Sequence, residues 1–274
     1  QLRVWRCESS TSLVSHWKGV APLLGVSWLS DTSVAVAGAD CHVRQVDVTT
    51  SKTTDIGEHT EPIVDCKYLP EMVRVGAGAL MTAGWDLALN VWDPRTPGRP
   101  TTKVELMHRV FAFDARGQML VIGDADKNML LYDVRHLDSP VRISPSPLRQ
   151  QTTCVTIYHN CSGFALASVE GRCSIRFTDS GIDKAKSFAF KCHRNGASHT
   201  GSGSVYAVND IAWHPHHPHS FATVGGDGDY VFWDMDKKQR LKSFSPPLEG
   251  AAITSGTFNA SGDLFAYAAS NDWS

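Results

Sequence analysis

Apolar and polar residues alternate in short runs along most of this chain, with a period of two residues. Between positions 24 and 46, for example, three such runs follow one another, Leu24–Leu29, Ser33–Ala37 and Val43–Val46, and short polar turns separate them. This alternation predicts half-buried β-strands, whereas apolar residues at helical spacing are missing. We therefore expect an all-β protein.

A short acidic turn followed by an apolar strand recurs along the chain. In each copy a large or branched apolar residue stands six positions after the turn Asp, and another Asp follows it directly. The four clear copies pair Asp40 with Val46, Asp86 with Trp92, Asp126 with Tyr132, and Asp227 with Trp233. A carboxylate in such a turn accepts hydrogen bonds from backbone amides and from a neighbouring His or Ser. We therefore expect these four aspartates to be structural.

The repeat length indicates the architecture. A weaker copy carries Glu170 and Phe177, so the apolar anchors stand at 5, 46, 92, 132, 177 and 233 and are separated by 41, 46, 40, 45 and 56 residues. This spacing fits a four-stranded propeller blade. The sequence predicts a seven-bladed β-propeller as a single domain over 1–274. A partial blade 1 lies near 1–18, blades 2–6 near 19–242 and a partial blade 7 near 246–274, so we expect the propeller to be truncated at both ends.

Composition narrows the functional classes. Of 274 residues, 42% are hydrophobic, which indicates a globular chain. There are 26 Lys and Arg and 28 Asp and Glu, so the protein as a whole has no general attraction for nucleic acid or for an acidic membrane. No apolar run is long enough to cross a bilayer, and no signal-peptide pattern opens the chain, so we expect no membrane insertion and a cytoplasmic or nuclear address. The seven cysteines, none in a Cys-x-x-Cys spacing, are expected to be reduced core residues.

Motifs for catalysis or metal binding are missing from the sequence. No Gly-x-Ser-x-Gly element, glycine-rich phosphate loop or separate carboxylate pair stands out, which predicts that the protein is not an enzyme and uses no cofactor. The His-rich stretch His214–His219 contains two prolines and lacks the second group of ligands that a metal site requires. We therefore expect no metal.

One interval departs from the repeat. The 56 residues from Phe177 to Trp233 exceed the neighbouring intervals because of a Gly/Ser-rich insertion, Asn195–Ser204, and repeat proteins tend to carry insertions on their binding face. Basic residues flank it: between 184 and 242 there are eight Lys and Arg and five Asp. Such a patch fits an anionic partner, and a solvated strand face is the alternative.

Several motifs together resemble a known family. They are Glu170-Gly-Arg172, Lys191-Cys-His-Arg194, Tyr206-Ala-Val-Asn209 and Asn271-Asp-Trp-Ser274. The chain resembles the WD-repeat messenger-RNA export factors, closely over about 163–274 and collinearly over the rest. A sister family, the spindle-checkpoint WD-repeat proteins, shares the first two motifs, whereas the last two resemble the export factors.

The resemblance implies a seven-bladed WD40 propeller acting as an adaptor in the nucleus, at the nuclear pore, and also in the cytoplasm. It implies binding to the GLEBS segment of a phenylalanine-glycine nucleoporin, a link to poly(A) RNA export, single-stranded RNA as a further partner, and contacts with mitotic spindle or checkpoint proteins. A homo-oligomer is not implied. The alternatives are a spindle-checkpoint scaffold that binds a kinase GLEBS segment, and a propeller hydrolase or ligase substrate receptor, for which no central polar cluster or partner box is seen.

The resemblance also assigns candidate residues. Arg194, with Lys191 beside it, corresponds to the position that pairs with GLEBS acids. A groove for RNA and competing peptides corresponds to Trp213, Trp233, Asp234, Lys238 and Arg240. This chain departs from the family there, because Trp213 replaces a Phe, Met235 stands where Lys is usual and Lys238 where Arg is usual.

Overall fold

The structure is a computed structural model, and it describes residues 1–7, 11–72, 78–195, 203–247 and 250–271. Antiparallel β-strands account for almost all regular structure in these residues, which confirms the all-β prediction. The chain divides into two compact units, one formed by 1–120, 124–126 and 131–142, the other by 121–123, 127–130 and 143–274. That residues 1–274 form one domain stays a prediction.

The strands of the first half form one hairpin and three four-stranded sheets, each in chain order. The hairpin is β1 (Leu2–Cys7) and β2 (Thr11–Trp17). The next sheet is β3 (Leu23–Ser30), β4 (Ser33–Gly38), β5 (His42–Asp47) and β6 (Thr53–Glu58). The second is β7 (Ile63–Leu69), β8 (Ala79–Gly84), β9 (Ala88–Trp92) and β10 (Thr102–Glu105). The third is β11 (Val110–Arg116), β12 (Met119–Asp124), β13 (Asn128–Asp133) and β14 (Arg142–Pro145).

The second half repeats this organisation and adds a short hairpin. One sheet is β15 (Thr152–Ile157), β16 (Gly163–Ser168), β17 (Arg172–Phe177) and β18 (Phe188–Lys191). The added hairpin is β19 (Arg194–Asn195) and β20 (Ser204–Val205). The next sheet is β21 (Val208–Trp213), β22 (Ser220–Gly225), β23 (Tyr230–Asp234) and β24 (Gln239–Phe244), and the last hairpin is β25 (Ala252–Phe258) and β26 (Phe265–Ser270). The four-stranded sheets lie where the repeat predicts complete blades.

Burial differs between the strands of a sheet and is complete in the second strand of four of the sheets. Every residue of the second strands β4, β8, β12 and β16 is buried, whereas the fourth strands β10, β14 and β18 alternate between half-buried and exposed positions. The second strands, among them Ser33–Gly38, are therefore not half-buried as the alternation predicted, because both of their faces are covered.

One helix departs from the all-strand pattern. Helix α1 (Ser180–Lys186) lies between β17 and β18. Asp179 caps it, because its Oδ1 accepts hydrogen bonds from the backbone N of Gly181 at 2.8 Å and of Ile182 at 2.9 Å. In the described part of the chain, no helix has the length and apolar character needed to cross a membrane.

All seven cysteines are thiols that form no disulfide, but they are not all core residues. Cys66, Cys173 and Cys192 are buried, and Cys41, Cys154 and Cys161 are half-buried. The expectation is wrong for Cys7, which is exposed at the end of β1. Burial raises the pKa of the Cys66 thiol, as expected for a thiol that acts as a small apolar residue.

Candidate functional site

Asp86 is the first member of a hydrogen-bonded chain in the β7–β10 sheet. Its carboxylate lies 2.9 Å from Nδ1 of His59, His59 Nε2 lies 2.7 Å from Thr82 Oγ1, and Trp92 Nε1 donates to the same Thr82 hydroxyl at 2.7 Å. Backbone N–H groups of Thr60 and Ala88 also donate to Asp86. Burial raises the pKa of the Asp86 carboxyl, but the hydrogen bond and charge of His59 together with the backbone hydrogen bonds of Thr60 and Ala88 outweigh it, and the pKa is lowered. This geometry supports a structural role.

Asp227 heads an equivalent chain in the β21–β24 sheet. Its Oδ1 lies 2.8 Å from Nδ1 of His193, and His193 Nε2 lies 2.9 Å from Thr223 Oγ1. Trp233 Nε1 donates to Thr223 Oγ1 at 2.9 Å. Both histidine side chains are fully enclosed, so each network joins the turn Asp to the interior of its sheet.

The other two turn acids lack this network. Asp40 accepts a hydrogen bond from Arg44 through Oδ2, whereas its buried Oδ1 has no hydrogen-bond partner among the described residues. The Asp126 side chain is 69% exposed and lies 3.9 Å from His108. A buried structural role for Asp126 is therefore not supported.

The residues around each turn Asp distinguish the turns that form this network from those that do not. Asp86 and Asp227 each have a Thr four positions earlier and a Trp six positions later, which supply the shared hydroxyl and the indole N–H. At the same positions Asp40 has Val36 and Val46, and Asp126 has Ile122 and Tyr132. Without the hydroxyl the chain of hydrogen bonds cannot form.

Arg194 opens the short β19–β20 hairpin, and its side chain is held by the turn between β16 and β17. Its Nη2 donates to the backbone oxygen of Glu170 at 2.6 Å and its Nε to that of Gly171 at 3.3 Å. Arg194 is nevertheless exposed. Because a guanidinium has five N–H donors, the two carbonyl bonds fix its plane and leave donors free to meet a carboxylate.

Gly171 allows the backbone of Cys192 and Tyr206 to lie close to the β16–β17 turn. Its φ of +60° places it in the left-handed region, and a Cβ there would stand 2.8 Å from the backbone oxygen of Cys192 and 3.0 Å from that of Tyr206. The backbone N of Cys192 donates to Gly171 O at 3.0 Å, and Lys191, which is exposed, pairs with Arg172 across β17 and β18. The Glu-Gly-Arg and Lys-Cys-His-Arg motifs therefore form one site, which we call the Arg194 site.

A second group of predicted residues lies on the β23–β24 hairpin. Trp233 pairs with Arg240, and the backbone N of Lys237 donates to Asp234 Oδ1 at 3.0 Å. Lys238, in the turn, places its Nζ 4.9 Å from the ring centroid of Phe188. The structure thus brings together Trp233, Asp234, Lys238 and Arg240, which we call the basic hairpin.

Trp213 does not take part in an open groove. Its side chain is 6% exposed and packs between Tyr158 and Phe221, whose ring centroids lie 4.7 and 4.9 Å away. Met235 is also buried. Trp233 is half-buried, with one contact to Phe190 at 4.6 Å. Only Trp233 of the two tryptophans can therefore present part of its ring to a base.

The His-rich stretch connects β21 to β22 as a local turn. Nδ1 of His214 accepts hydrogen bonds from the backbone N of His216 at 3.2 Å and of His217 at 3.0 Å. Burial and the neighbouring His217 lower the pKa of His214, which favours the neutral ring that this acceptor role requires. Among the residues with described positions, no group of three or more His, Cys, Asp or Glu is arranged to hold a metal ion.

Some predicted features lie outside the described residues. They are positions 196–202 of the Gly/Ser insertion, Asp272–Ser274 of the last motif and the side chain of Lys184.

Comparison with known proteins agrees with the repeated four-stranded sheets described above. The family profile "WD domain, G-beta repeat" matches residues 190–234. The chain is 36% identical over 277 residues to the poly(A)+ RNA export protein of Schizosaccharomyces pombe, covering 100% of this chain and 76% of that protein. It is 37% identical to the mRNA export factor GLE2 of Chaetomium thermophilum, covering 92% and 69%. It is also 35% identical to the mitotic checkpoint protein BUB3.1 of Arabidopsis thaliana, covering 96% and 76%.

Proposed function

Because this chain belongs to the family of WD-repeat messenger-RNA export factors, with the WD40 β-propeller fold, we propose that it is a non-enzymatic adaptor in poly(A) messenger-RNA export. It acts in the nucleus, at the nuclear pore complex, and also in the cytoplasm. The names of its relatives support this role. Its partner at the pore is the GLEBS segment of a phenylalanine-glycine nucleoporin.

The observation that carries the peptide-binding proposal is the anchored guanidinium of Arg194. Backbone carbonyls at 2.6 and 3.3 Å hold an exposed charge in place without neutralising it. An arginine fixed in this way loses little side-chain entropy when it pairs with a carboxylate. The Arg194 site therefore suits an acidic peptide, with Lys191 adding a second positive charge.

Single-stranded RNA is the second partner, and the basic hairpin is its site. Lys238 and Arg240 contact phosphates there, and the exposed part of the half-buried Trp233 ring contacts a base. Trp213 is left out of this site because its ring is buried. Asp234 shapes the turn through its bond with the backbone N of Lys237 and does not itself contact RNA.

A checkpoint scaffold is the alternative, because the relatives include a mitotic checkpoint protein. The Arg194 site would then receive the GLEBS segment of a kinase, and RNA would not bind. Contacts with spindle proteins are compatible with either function.

The proposal is tested by titrating fluorescently labelled GLEBS peptides, one from a phenylalanine-glycine nucleoporin and one from a checkpoint kinase, with the purified protein. Tighter binding of the nucleoporin peptide supports the export adaptor. Preference for the kinase peptide would favour the checkpoint scaffold, and binding of neither would contradict peptide capture altogether.

RNA binding is tested separately with a single-stranded poly(A) oligonucleotide at two salt concentrations. Phosphate contacts release counterions, so affinity falls as salt rises, and the double variant Lys238→Glu, Arg240→Glu should flatten that dependence. Lys103→Glu, an exposed change in β10, is the control and should keep the wild-type slope. Equal slopes for wild type and the double variant would remove the basic hairpin from the RNA site.

A further inference from the structure

A short motif, Ser or Thr followed by Pro, any residue and Arg, occurs three times in the chain. The copies are Thr96-Pro-Gly-Arg99, Ser139-Pro-Val-Arg142 and Ser146-Pro-Leu-Arg149. With 26 Ser, 19 Thr, 13 Pro and 26 Lys and Arg among 274 residues, a random order of the same composition would contain about 0.2 copies of such a motif with Lys or Arg at its end. The copies stand four, seven and fourteen positions after the repeat anchors Trp92 and Tyr132, so the propeller repeat does not generate them.

This pattern is the kind of substrate that a proline-directed protein kinase recognises. A proline directly after the hydroxyl residue removes one backbone donor and holds the preceding residue in an extended conformation. A base three positions after the hydroxyl residue supplies the positive charge by which such kinases choose their substrates. The motif therefore predicts phosphoryl transfer wherever the structure leaves the segment accessible.

Thr96 lies on an open turn in the connection between β9 and β10. Its backbone N donates to the backbone oxygen of Asp93 at 3.0 Å, and residues 95–99 are all exposed. Gly98, inside the motif, borders open space, since a Cβ there would meet no atom within 4 Å. The hydroxyl residue and the base at Arg99 are thus both accessible.

Ser139 lies in the corresponding connection of the next sheet, between β13 and β14. This connection opens in the same way, because the backbone N of His136 donates to the backbone oxygen of Asp133 at 2.8 Å. Ser139 is exposed, and Val141 is 67% exposed. The motif ends at Arg142, where β14 begins as the outermost described strand of its sheet. The residues after the hydroxyl therefore lead into an extended, accessible edge.

Two further serines separate the motif from its exposure. Ser146 has the complete motif but is half-buried, and its Oγ accepts a hydrogen bond from the backbone N of Leu148, which is buried, at 3.2 Å. Ser245 is exposed and precedes a proline, but Leu248 stands where the base is needed. Ser146 thus has the motif without access, and Ser245 has access without the full motif.

We propose that Thr96 and Ser139 are phosphorylated by a proline-directed protein kinase that requires a base three residues after the hydroxyl. The hydroxyl oxygen attacks the γ-phosphorus of the MgATP bound to the kinase, the bond from that phosphorus to the β–γ bridging oxygen breaks, and ADP leaves. The hydroxyl proton passes to the catalytic base of the kinase. Neither residue belongs to the Arg194 site or to the basic hairpin, so this modification does not depend on the proposed partners.

The test incubates the folded protein with a purified cyclin-dependent kinase and MgATP, and measures the initial rate of phosphorylation at each residue by mass spectrometry of tryptic peptides. Thr96 and Ser139 should each be modified at least about tenfold faster than Ser146 and Ser245.

Variants of the base test the charge pattern. Arg99→Ala should slow modification of Thr96 at least about tenfold and leave that of Ser139 unchanged, and Arg142→Ala should do the reverse. Arg99→Lys should keep most of the Thr96 rate, because lysine keeps the charge. Lys103→Ala, an exposed change in β10, is the control and should stay within about twofold of wild type at both sites. Melting curves establish that each variant is folded.

Short synthetic peptides separate the effect of the motif from that of the fold. Peptides containing Thr96, Ser139 or Ser146 should be phosphorylated at similar rates, since the buried surroundings of Ser146 are gone, and the Ser245 peptide should be slow.

The proposal is overturned if Thr96 and Ser139 stay unmodified in the folded protein, whether or not their peptides react. Phosphate on only one of them would overturn the assignment of the other. Rates at Ser146 or Ser245 in the folded protein equal to those at Thr96 and Ser139 would also overturn it, because exposure and the base would then not select the site.

Discussion

Nδ1 of His193 lies 2.8 Å from Oδ1 of Asp227, and His193 directly precedes Arg194 in the chain. The hydrogen-bonded network inside the β21–β24 sheet therefore also fixes the residue before the proposed peptide-binding arginine. A buried network is a rigid support because each of its polar groups would be costly to leave without a partner. The position of Arg194 therefore depends on the correct folding of this sheet.

Asp227→Ala and Asp86→Ala should each destabilise the protein by about 1–3 kcal/mol, because each leaves a buried histidine nitrogen without its acceptor. Asp126→Ala, whose carboxylate is exposed, is the matched control and should change the melting temperature little. Thermal unfolding followed by circular dichroism decides this, and equal melting temperatures for Asp86→Ala and Asp126→Ala would contradict the structural role.

Gly171→Ala should destabilise the protein and weaken peptide binding together. The new Cβ would stand 2.8 Å from a backbone oxygen in a left-handed conformation, and either the turn or the Arg194 carbonyl bonds must shift. Gly250→Ala is the control, since its φ is also positive, at +85°, but a Cβ there meets nothing within 4 Å. If both variants lost the same stability, the close approach at Gly171 would not matter.

Lys127→Gly should stabilise the protein by up to about 1 kcal/mol. Glycine removes the backbone strain of a left-handed residue, and this gain exceeds the conformational entropy that glycine adds to the unfolded chain. Lys127 is exposed and has φ of +62°. Lys103→Gly, the same substitution within strand β10, should instead destabilise the protein. Urea unfolding of both variants measures whether the free energy of unfolding rises or falls in each. A loss of stability in Lys127→Gly would contradict the strain argument.

Acid unfolding should depend on Asp47. The side-chain hydroxyl and backbone N–H of Thr49, with the backbone N–H of Thr50, lower its pKa from 3.8 to about 2. Since the folded-state pKa is depressed, the stability contributed by the carboxylate is complete above about pH 4 and is lost as pH falls towards 2. Asp47→Asn should therefore melt below wild type at pH 5, and the difference should shrink towards pH 2. A difference that stayed constant over this range would contradict the lowered pKa.

The repeat of turn acids and strands predicted the positions of the five complete sheets, because the apolar period and the turn residues depend on local sequence. The sequence did not predict helix α1, since seven residues with one capping Asp give too short a pattern to recognise. Nor did it separate Asp86 from Asp126. Their turns look alike until Thr82 and Trp92 are compared with Ile122 and Tyr132.

The candidate site was predictable only in part. Motif resemblance identified Arg194, but its bonds to the Glu170–Gly171 turn depend on a contact between residues 24 positions apart, which local patterns do not report. The resemblance placed Trp213 beside the basic hairpin. Its burial follows from tertiary packing against Tyr158 and Phe221, which local sequence does not report.

The affinity of Arg194 variants for the nucleoporin GLEBS peptide, measured by isothermal titration calorimetry, tests the peptide-adaptor account most directly. Arg194→Ala should lose more than about 2 kcal/mol of binding free energy while staying folded, with at most a small drop in melting temperature from the loss of its two carbonyl bonds. Arg194→Lys should recover only a small part of that loss, because lysine keeps the charge but lacks the planar fork held by two backbone carbonyls. Unchanged affinity in a folded Arg194→Ala protein would contradict the account.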